Sequence, residues 1–154
     1  MNCALLLRRL PRLVSSATAQ ATFRRAMATN FDDDVIFERL DACRRVTLNR
    51  PSTLNALTLP MIRKIYPKMR KFEGEPDVKL VVIKGAGDKA FCAGGDIKAV
   101  VLDEKDGALR RDFFKEEYIL NYLIGTFELP YVALLNGITM GGVRWFWRFE
   151  IFLI

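Results

Sequence analysis

Residues 90–96 read Ala-Phe-Cys-Ala-Gly-Gly-Asp, and residues 137–142 read Gly-Ile-Thr-Met-Gly-Gly. Each stretch follows an apolar run typical of a buried strand, residues 80–83 and 131–135, and lies where a helix should begin. Glycine lets a ligand approach the backbone closely, and free N–H groups at a helix start can donate to an oxyanion. Two such groups from separate loops can polarise a carbonyl during acyl transfer. Ordinary turns between strands and helices are the alternative explanation of these glycines.

The residues before the first loop predict a hairpin and a helix. Residues 35–40 and 45–48 are short apolar runs on either side of a turn. Thr58 can cap a helix beginning near Pro60, and Pro67 is expected to kink that helix or end it early. The positions at helical spacing that should face the core are Ile62, Ile65, Tyr66 and Met69.

The residues around and after the first loop complete an α/β pattern. The unbroken apolar run at residues 80–83 predicts a strand buried on both faces, and one helix should begin near Asp96. A second helix should cover about residues 109–126, before Pro130 stops it. The apolar positions expected to recur along its buried face are Phe113, Tyr118 and Leu120. Strand, loop, helix, strand and glycine-rich loop in this order indicate an α/β domain.

The net charge of +6 is concentrated at the start of the chain. Residues 1–28 hold five of the 24 basic residues and no acid, which leaves 19 basic residues against 18 acids in the rest. The basic character therefore belongs to this leader, and the body is not expected to bind nucleic acid. The basic residues of the leader are Arg8, Arg9, Arg12, Arg24 and Arg25.

The leader has the composition of a mitochondrial presequence, rich in Arg, Ser, Thr and Ala and free of acids. Its uninterrupted apolar run at residues 4–7 is too short for a secretory signal. We therefore expect residues 1–28 to direct import into the mitochondrial matrix, with a merely disordered basic N-terminus as the alternative. The longest charge-free stretch, residues 129–143, contains Pro130 and is too short to span a bilayer.

The histidine and cysteine content excludes several catalytic classes. The chain has no histidine, so Ser-His-Asp, Cys-His and histidine–metal chemistry are absent. Cys43 and Cys92 are far apart in sequence, and in a reducing matrix they are not expected to form a disulfide. No Cys-x-x-Cys pattern suggests zinc. Cys92 is interpreted as a small buried side chain, with a reactive thiol as the less favoured alternative.

Read together, four segments resemble the crotonase (enoyl-CoA hydratase/isomerase) superfamily. Residues 48–51 and 54–57 resemble its first signature loop, residues 91–97 its first oxyanion-hole loop, and residues 136–142 its second. The resemblance implies an α/β fold, the ClpP-like crotonase spiral of ββα units. Residues 29–142 would form only the N-terminal half of that spiral, as a partial enoyl-CoA hydratase/isomerase domain.

Within the superfamily, four other stretches resemble the 3-hydroxyisobutyryl-CoA hydrolase branch. These are residues 65–67, 83–87, 113–121 and 130–134. The resemblance implies hydrolysis of 3-hydroxyisobutyryl-CoA to the free acid and CoA in valine breakdown, with an acyl-CoA substrate and no metal or redox cofactor. An enoyl-CoA hydratase or isomerase of the same fold is the enzymatic alternative. A non-catalytic CoA-binding fragment, or a chain without a stable fold, is the alternative from another class.

The resemblance also implies roles for individual residues. Gly95 and Gly142 match the two oxyanion-hole positions, whose N–H groups would hold the thioester oxygen. Glu117 matches a helix carboxylate that lines the substrate pocket, where Gly94 and Asp96 would also lie. A solvated helix carboxylate is the alternative for Glu117. The residues expected near the nucleotide of CoA, mostly through backbone contacts, are Asn55, Ala56 and Leu57.

The resemblance ends at Gly142, and residues 143–154 form a divergent tail. Nine of these twelve residues are apolar or aromatic, and both tryptophans of the chain are among them. The codons of a typical splice donor, GTA or GTG followed by AGA, encode Val-Arg, which is the sequence of residues 143 and 144. We therefore expect residues 143–154 to be translated from an intron, with a genuine short isoform as the alternative. The family's catalytic Glu and Asp have no match in the chain. We therefore expect it to be inactive and prone to aggregation, although oligomers are possible for full-length members.

Overall fold

The computed structural model describes residues 33–101 and 107–141, together with the backbone of residues 151–153. Its helices are α1, Leu59–Glu73; α2, Ile97–Val101; and α3, Ala108–Gly125, and a short 3-10 turn covers Pro51–Thr53. Its strands are β1, Val35–Leu40; β2, Cys43–Leu48; β3, Leu80–Gly85; β4, Ala90–Cys92; β5, Tyr131–Leu135; β6, Ile138–Thr139; and β7, Ile151–Leu153.

The strands form two sheets, and from β3 to β6 each successive pair of strands contributes one strand to each sheet. The larger sheet has the order β1-β2-β3-β5-β7, in which β1 and β2 are antiparallel and the other neighbours are parallel. The smaller sheet pairs β4 with β6 in parallel. The consecutive strands β3 and β4 therefore lie in different sheets, as do β5 and β6. The parallel neighbours β3 and β5 are joined by the crossover connection that parallel strands need, which contains β4, α2 and α3. This is the start of the ββα spiral, and the predicted fold is confirmed.

Helix α1 packs on the sheet through the predicted face, with one correction. Thr58 caps the helix by accepting a hydrogen bond from the Met61 N–H at 3.4 Å, as predicted. Tyr66 is 36% exposed, so its assignment to the core was wrong. Pro67 was expected to kink the helix or end it early. The kink stays a prediction, but the helix does not end early and continues to Glu73. The reason is that the turns beyond Pro67 bury further apolar side chains, and this packing outweighs the hydrogen bond that proline removes. The buried side chains of α1 are Leu59, Met61, Ile62, Ile65, Met69 and Phe72.

Two further burial predictions were wrong for reasons of periodicity. Strand β3 is not buried on both faces, because Val81 and Ile83 are buried while the alternating side chains are only half-buried. In α3, Tyr118 is 67% exposed. It follows directly after Glu117, which faces the interior, and one residue along a helix turns the side chain by about 100°. The buried face of α3 consists of Phe113, Glu117, Leu120, Leu123 and Ile124.

A buried arginine joins the amino ends of β2 and β3. Arg44 donates from Nη2 to Glu75 at 2.9 Å and to Asp77 at 2.8 Å. Its Nη1 donates to the carbonyl of Asp41, the turn residue of the β1–β2 hairpin, at 2.9 Å. The hydrogen bond from Arg44 holds the pKa of Asp77 below its ordinary value. We refer to Arg44, Glu75 and Asp77 as the Arg44 cluster.

The ends of the chain lie largely outside the described residues. The predicted presequence, residues 1–28, falls there, as does the predicted tail apart from residues 151–153. Those three residues form β7, an edge strand that pairs in parallel with β5 through Ala133–Ile151, Leu134–Phe152 and Leu135–Leu153. No helix in the part of the chain that the structure describes is both long and apolar enough to cross a membrane.

Candidate active site

The first glycine-rich loop and the loop expected to hold CoA pair along their backbones. The Leu57 N–H donates to the Gly94 carbonyl at 2.8 Å, and the Asp96 N–H donates to the Leu57 carbonyl at 2.7 Å. The Ala93 N–H donates to the Leu54 carbonyl at 3.0 Å. Segments 54–57 and 93–96 are therefore held side by side, although about 40 residues separate them in sequence.

Asn55 anchors the expected CoA loop from inside. Its side chain is fully buried, and its Nδ2 donates to the carbonyls of Ala86 at 2.9 Å and Ala90 at 2.8 Å. Its Oδ1 accepts from the Arg50 N–H at 3.0 Å. Leu54 and Asn55 both have positive φ, +53° and +56°, a backbone state that asparagine tolerates better than most residues. The Asn55 side chain is thus engaged within the protein, so any contact with CoA must come from the backbone.

The two glycine-rich loops approach each other closely. A side chain at Gly94 would place its Cβ 3.0 Å from the Met140 carbonyl oxygen and 3.2 Å from the Gly141 Cα. A side chain at Gly141 would lie 3.0 Å from the Gly94 Cα and 3.9 Å from the Gly95 nitrogen. The Met140 N–H donates to the Cys92 carbonyl at 3.0 Å, which continues the pairing of β4 with β6. The sequence prediction that these two loops act together agrees with this geometry up to Gly141. Gly142 lies outside the described residues.

Gly95 presents a free backbone donor. Its carbonyl accepts from the Ile97 N–H at 2.8 Å as α2 begins. Within residues 33–101 and 107–141, its own N–H has no acceptor. The ring of Phe113 lies against the same residue, since a Cβ at Gly95 would come within 2.8 Å of that ring. A larger residue at this position would therefore have to displace the buried ring of Phe113, and among the described residues nothing occupies the Gly95 N–H.

Glu117 places a carboxyl group beside these loops. It follows Phe113 by one helical turn on the inner face of α3 and is only 7% exposed. Among the described residues its side chain has no hydrogen-bond or ion-pair partner, and burial raises its pKa. Phe113, one turn earlier on the same buried face, has its ring against Gly95, so Glu117 lies on the side of α3 that faces the first glycine-rich loop. The alternative of a solvated helix carboxylate was wrong for Glu117.

Cys92 lies under the first loop as a packed thiol. It is fully buried, and its Sγ accepts from the Gly94 N–H at 3.4 Å. Burial raises the pKa of the thiol to about 11, with a smaller contribution from the nearby charge of Glu117. A thiol at this pKa carries little thiolate near neutral pH. The interpretation of Cys92 as a small buried side chain is confirmed.

The Arg50–Asp96 pair is the feature of the site that the sequence did not predict. Arg50 Nη1 donates to Asp96 Oδ2 at 3.0 Å and to the Ala56 carbonyl at 2.9 Å. The carboxylate of Asp96 meets this guanidinium, and its expected place in the lining of the substrate pocket stays a prediction. Arg50 and Asp96 stand 46 positions apart, so no local spacing rule connects them. The one signal was a lone arginine inside a signature loop of otherwise uncharged residues.

The arrangement can stabilise negative charge on an oxygen atom. An oxyanion hole requires hydrogen-bond donors that are fixed in place. The Gly95 N–H, which has no acceptor among the described residues, is one such donor, and the second glycine-rich loop lies in contact with Gly94. Among the described residues, no group of three or more His, Cys, Asp or Glu side chains is arranged to hold a metal ion. Fold and site together therefore define an α/β protein with two glycine-rich loops in contact.

The family described as Enoyl-CoA hydratase/isomerase matches residues 43–143, about two thirds of the chain. This chain belongs to that family. A relative from Danio rerio, named 3-hydroxyisobutyryl-CoA hydrolase, mitochondrial, is 52% identical over 85% of this chain and 35% of its own length. A relative of the same name from Xenopus laevis is 62% identical over 63% of this chain and 26% of its own length.

A solved enoyl-CoA hydratase from Rhodobacter sphaeroides 2.4.1 has the same fold over this region. It superposes with a TM-score of 0.67 and is 42% identical, over 73% of this chain and 34% of its own. This chain therefore spans roughly a quarter to a third of the length of the proteins that it resembles.

Proposed function

We propose that this chain supplies the acyl-CoA-binding and oxyanion-stabilising part of a 3-hydroxyisobutyryl-CoA hydrolase. The observation that carries the proposal is the contact between Gly94 and Gly141 beside the free N–H of Gly95. The hydrolase relatives support the choice of reaction, since they are 52% and 62% identical to this chain, against 42% for the solved hydratase. Hydration or isomerisation of an enoyl-CoA is accordingly the weaker alternative.

In this proposal the thioester oxygen accepts hydrogen bonds from the N–H groups of Gly95 and Gly142. Negative charge develops on that oxygen when water or a carboxylate attacks the carbonyl carbon. Fixed donors aimed at the developing charge stabilise the transition state, typically by about 10²–10³ in rate for each donor. The close approach of Gly94 to Gly141 supports a second donor from the loop that leads into Gly142.

Glu117 would line the acyl pocket. Because burial raises its pKa, its carboxyl keeps a proton to a higher pH than an exposed glutamic acid does. Its carboxyl oxygens can accept a hydrogen bond from a hydroxyl of the acyl group. The ring of Phe113, one turn earlier, supplies an apolar wall beside Gly95.

The nucleotide end of CoA would contact the loop at Asn55, Ala56 and Leu57. All three N–H groups of this loop are already bonded within the protein, since Asn55 donates to the carbonyl of Arg50, Ala56 to that of Thr53 and Leu57 to that of Gly94. The available groups are therefore carbonyl oxygens, which have room for a second hydrogen bond. These oxygens suit an amino-group donor such as that of adenine.

Hydrolysis of a thioester consumes only water, so we propose that no metal or redox cofactor takes part. The relatives are named as mitochondrial proteins, and we propose the matrix as the compartment. We further propose that the 154-residue chain alone does not turn over substrate. Asp96 and Glu116 are paired with arginines, and Glu117 would line the pocket without attacking the carbonyl. Turnover at or above about 1 s⁻¹, within the ordinary enzyme range, would contradict this.

Thermal unfolding of the full chain with CoA and with 3-hydroxyisobutyryl-CoA tests the proposal. A ligand that binds only the folded state stabilises it, by about 2.7 kcal/mol at one hundred times its Kd. We expect both ligands to raise Tm, the thioester more than CoA, and we expect Gly94→Val to remove the extra effect of the thioester. Equal or absent shifts with the two ligands would reject the oxyanion role. A larger shift with crotonyl-CoA would favour the hydratase alternative.

A further inference from the structure

Arg50 contacts both loops of the candidate site at once. Its Nη1 donates to the carbonyl of Ala56, in the expected CoA loop, and to the carboxylate of Asp96, directly after Gly95. The Arg50 side chain is about one-fifth exposed, as is the Asp96 side chain, so the pair is only partly screened by solvent. Asp34 lies on the other side of Arg50, with Oδ1 3.9 Å from Nε.

The Arg50 backbone is bound into the same loop. Its N–H donates to Asn55 Oδ1, and its carbonyl accepts from the N–H groups of Thr53 and Asn55 at 3.0 and 2.9 Å. The Arg50 backbone is thus fixed within the expected CoA loop, while the guanidinium reaches the first glycine-rich loop. A displacement of Ala56 is therefore transmitted to Asp96 through one planar, rigid group.

We propose that Arg50 is a positioning residue that couples binding of the nucleotide end of CoA to the orientation of the Gly95 N–H. This inference rests on the proposed function, because it needs a thioester oxygen at Gly95. Asp96 is the residue after Gly95, and the N–H of Gly95 belongs to the short segment between the Leu57–Gly94 hydrogen bond and the Asp96 side chain. A carboxylate fixed at Asp96 limits rotation of that segment. A ligand bound at Ala56 would hold Arg50 more firmly against Asp96 and so limit that rotation further.

The chain offers a matched control in Arg45. Arg45 pairs with Glu38 at 2.7 Å across the β1–β2 hairpin, and about a third of each side chain is exposed. Removal of this pair alters a comparable number of charged hydrogen bonds without touching either loop. Arg50→Met and Arg45→Met should therefore both lower Tm modestly, and only the first should change the bound thioester.

The readout is the stretching frequency of the thioester carbonyl, measured by infrared difference spectroscopy on the full chain. The probe is isobutyryl-CoA with ¹³C at the carbonyl. Donors that polarise a carbonyl lower its frequency, and a purely structural role for Arg50 would leave the frequency of bound ligand unchanged. With wild type and Arg45→Met we expect the same lowered frequency. With Arg50→Met and with Asp96→Asn we expect at least half of the shift to be lost and the Kd for the probe to rise about tenfold.

Two further variants make the result decisive. Arg50→Lys keeps the charge and should restore part of the shift, while the double variant Arg50→Met/Asp96→Asn should be no worse than either single one, since both remove one coupling. An unchanged carbonyl frequency in folded Arg50→Met and Asp96→Asn would overturn the positioning role while leaving the proposed function intact. Absence of any shift with wild type would reject the proposed function, and the positioning role with it.

Discussion

The two ends of the parallel strands β2, β3 and β5 differ in whether their buried charged groups have partners. At the amino ends, the Arg44 guanidinium is buried, and its N–H groups donate to Glu75, Asp77 and the Asp41 carbonyl. At the carboxyl ends, the loops leave the Gly95 N–H without an acceptor and bury Glu117 without a partner, among the described residues. The buried charge at the amino ends is therefore paired, whereas, in the part of the chain that the structure describes, Glu117 at the carboxyl ends is not. The hydroxyl of Tyr131, the first residue of β5, is also buried without a hydrogen-bond partner among the described residues.

This difference separates structural from functional polarity. A buried polar group without a partner usually destabilises the folded state, so folding alone does not explain those at the carboxyl ends. Ligands of open α/β sheets bind at the carboxyl ends of the strands, where a bound thioester would supply the missing partners. The amino ends show what the same fold does with charges when no ligand is involved.

The largest expected effect comes from Asn55, which is an exception at the carboxyl end because it is fully satisfied. Asn55→Ala leaves the carbonyls of Ala86 and Ala90 and the N–H of Arg50 without their partner. We expect a loss of about 3 kcal/mol or more in the free energy of unfolding, at about 1–3 kcal/mol for each buried group. Chemical denaturation measures it. Asn49→Ala, which removes one exposed hydrogen bond to Asp33, should cost less than about 1 kcal/mol, and equal losses would contradict the anchoring role.

The next effect concerns the contact between the glycine-rich loops. Gly94→Ala places a Cβ 3.0 Å from the Met140 carbonyl oxygen at a residue with φ +93°. We expect a loss of about 1–3 kcal/mol from the strained backbone, together with weaker binding of acyl-CoA. Gly125→Ala is the control, since a Cβ there meets nothing within 4 Å, and it should be neutral or stabilising by up to about 1 kcal/mol. Unchanged acyl-CoA binding in Gly94→Ala would separate this contact from the site.

The Arg44 cluster should show its contribution through pH. Arg44→Met leaves Glu75 and Asp77 without their shared cation, and we expect a Tm several degrees lower at pH 7. In wild type the pKa of Asp77 lies below its ordinary value of 3.8, so the stabilisation is present above that pH and is lost as pH falls through the folded-state pKa. The difference in Tm between wild type and variant should therefore shrink below about pH 4. A constant difference from pH 7 to pH 3 would contradict this account.

The fold was predictable because its local signals agree with its packing. Thr58 caps α1 as its hydroxyl allows, and the runs that became β3 and β5 are apolar enough to be central strands. Tertiary packing overrides a local rule at Pro67, whereas the error at Tyr118 lay in the helical periodicity. Pro67 does not end α1, because the helix continues to bury apolar side chains. Tyr118 is aromatic and near helical spacing, yet it lies one residue away from the buried face.

The candidate site was only partly predictable, because sequence patterns describe loops better than contacts between loops. Gly94, Gly95 and Gly141 were predicted from the glycine-rich motifs, and Glu117 was predicted from the resemblance to the family. The ion pairs of Arg50 with Asp96 and of Arg44 with Glu75 each join residues more than 30 positions apart. Nothing local marks such pairs, because the partner is chosen by the fold. Burial of Glu117 is likewise set by the arrangement of α3 on the loops.

The smallest expected effects come from two adjacent glutamates of α3, and their signs should be opposite. Glu117 is buried without a partner among the described residues, so its pKa is raised above its ordinary value of 4.5. A carboxyl with a raised pKa favours folding while protonated, and that contribution disappears as pH rises through the folded-state pKa. Glu116 pairs with Arg63 at 2.6 Å, and this hydrogen bond lowers its pKa. Its contribution is present above pH 4.5 and disappears as pH falls.

Glu117→Gln should therefore raise Tm at pH 7, because the variant buries no charge, and this advantage should vanish as pH falls toward 4. Glu116→Gln should lower Tm slightly at pH 7, and its deficit should also vanish in acid. Thermal unfolding of both variants and wild type between pH 4 and pH 8 gives the two curves. If Glu117→Gln lowered Tm at pH 7, the carboxylate would have a stabilising partner in the folded chain. Glu117 would then belong with the satisfied charges of the amino ends, and its burial would no longer indicate a binding site.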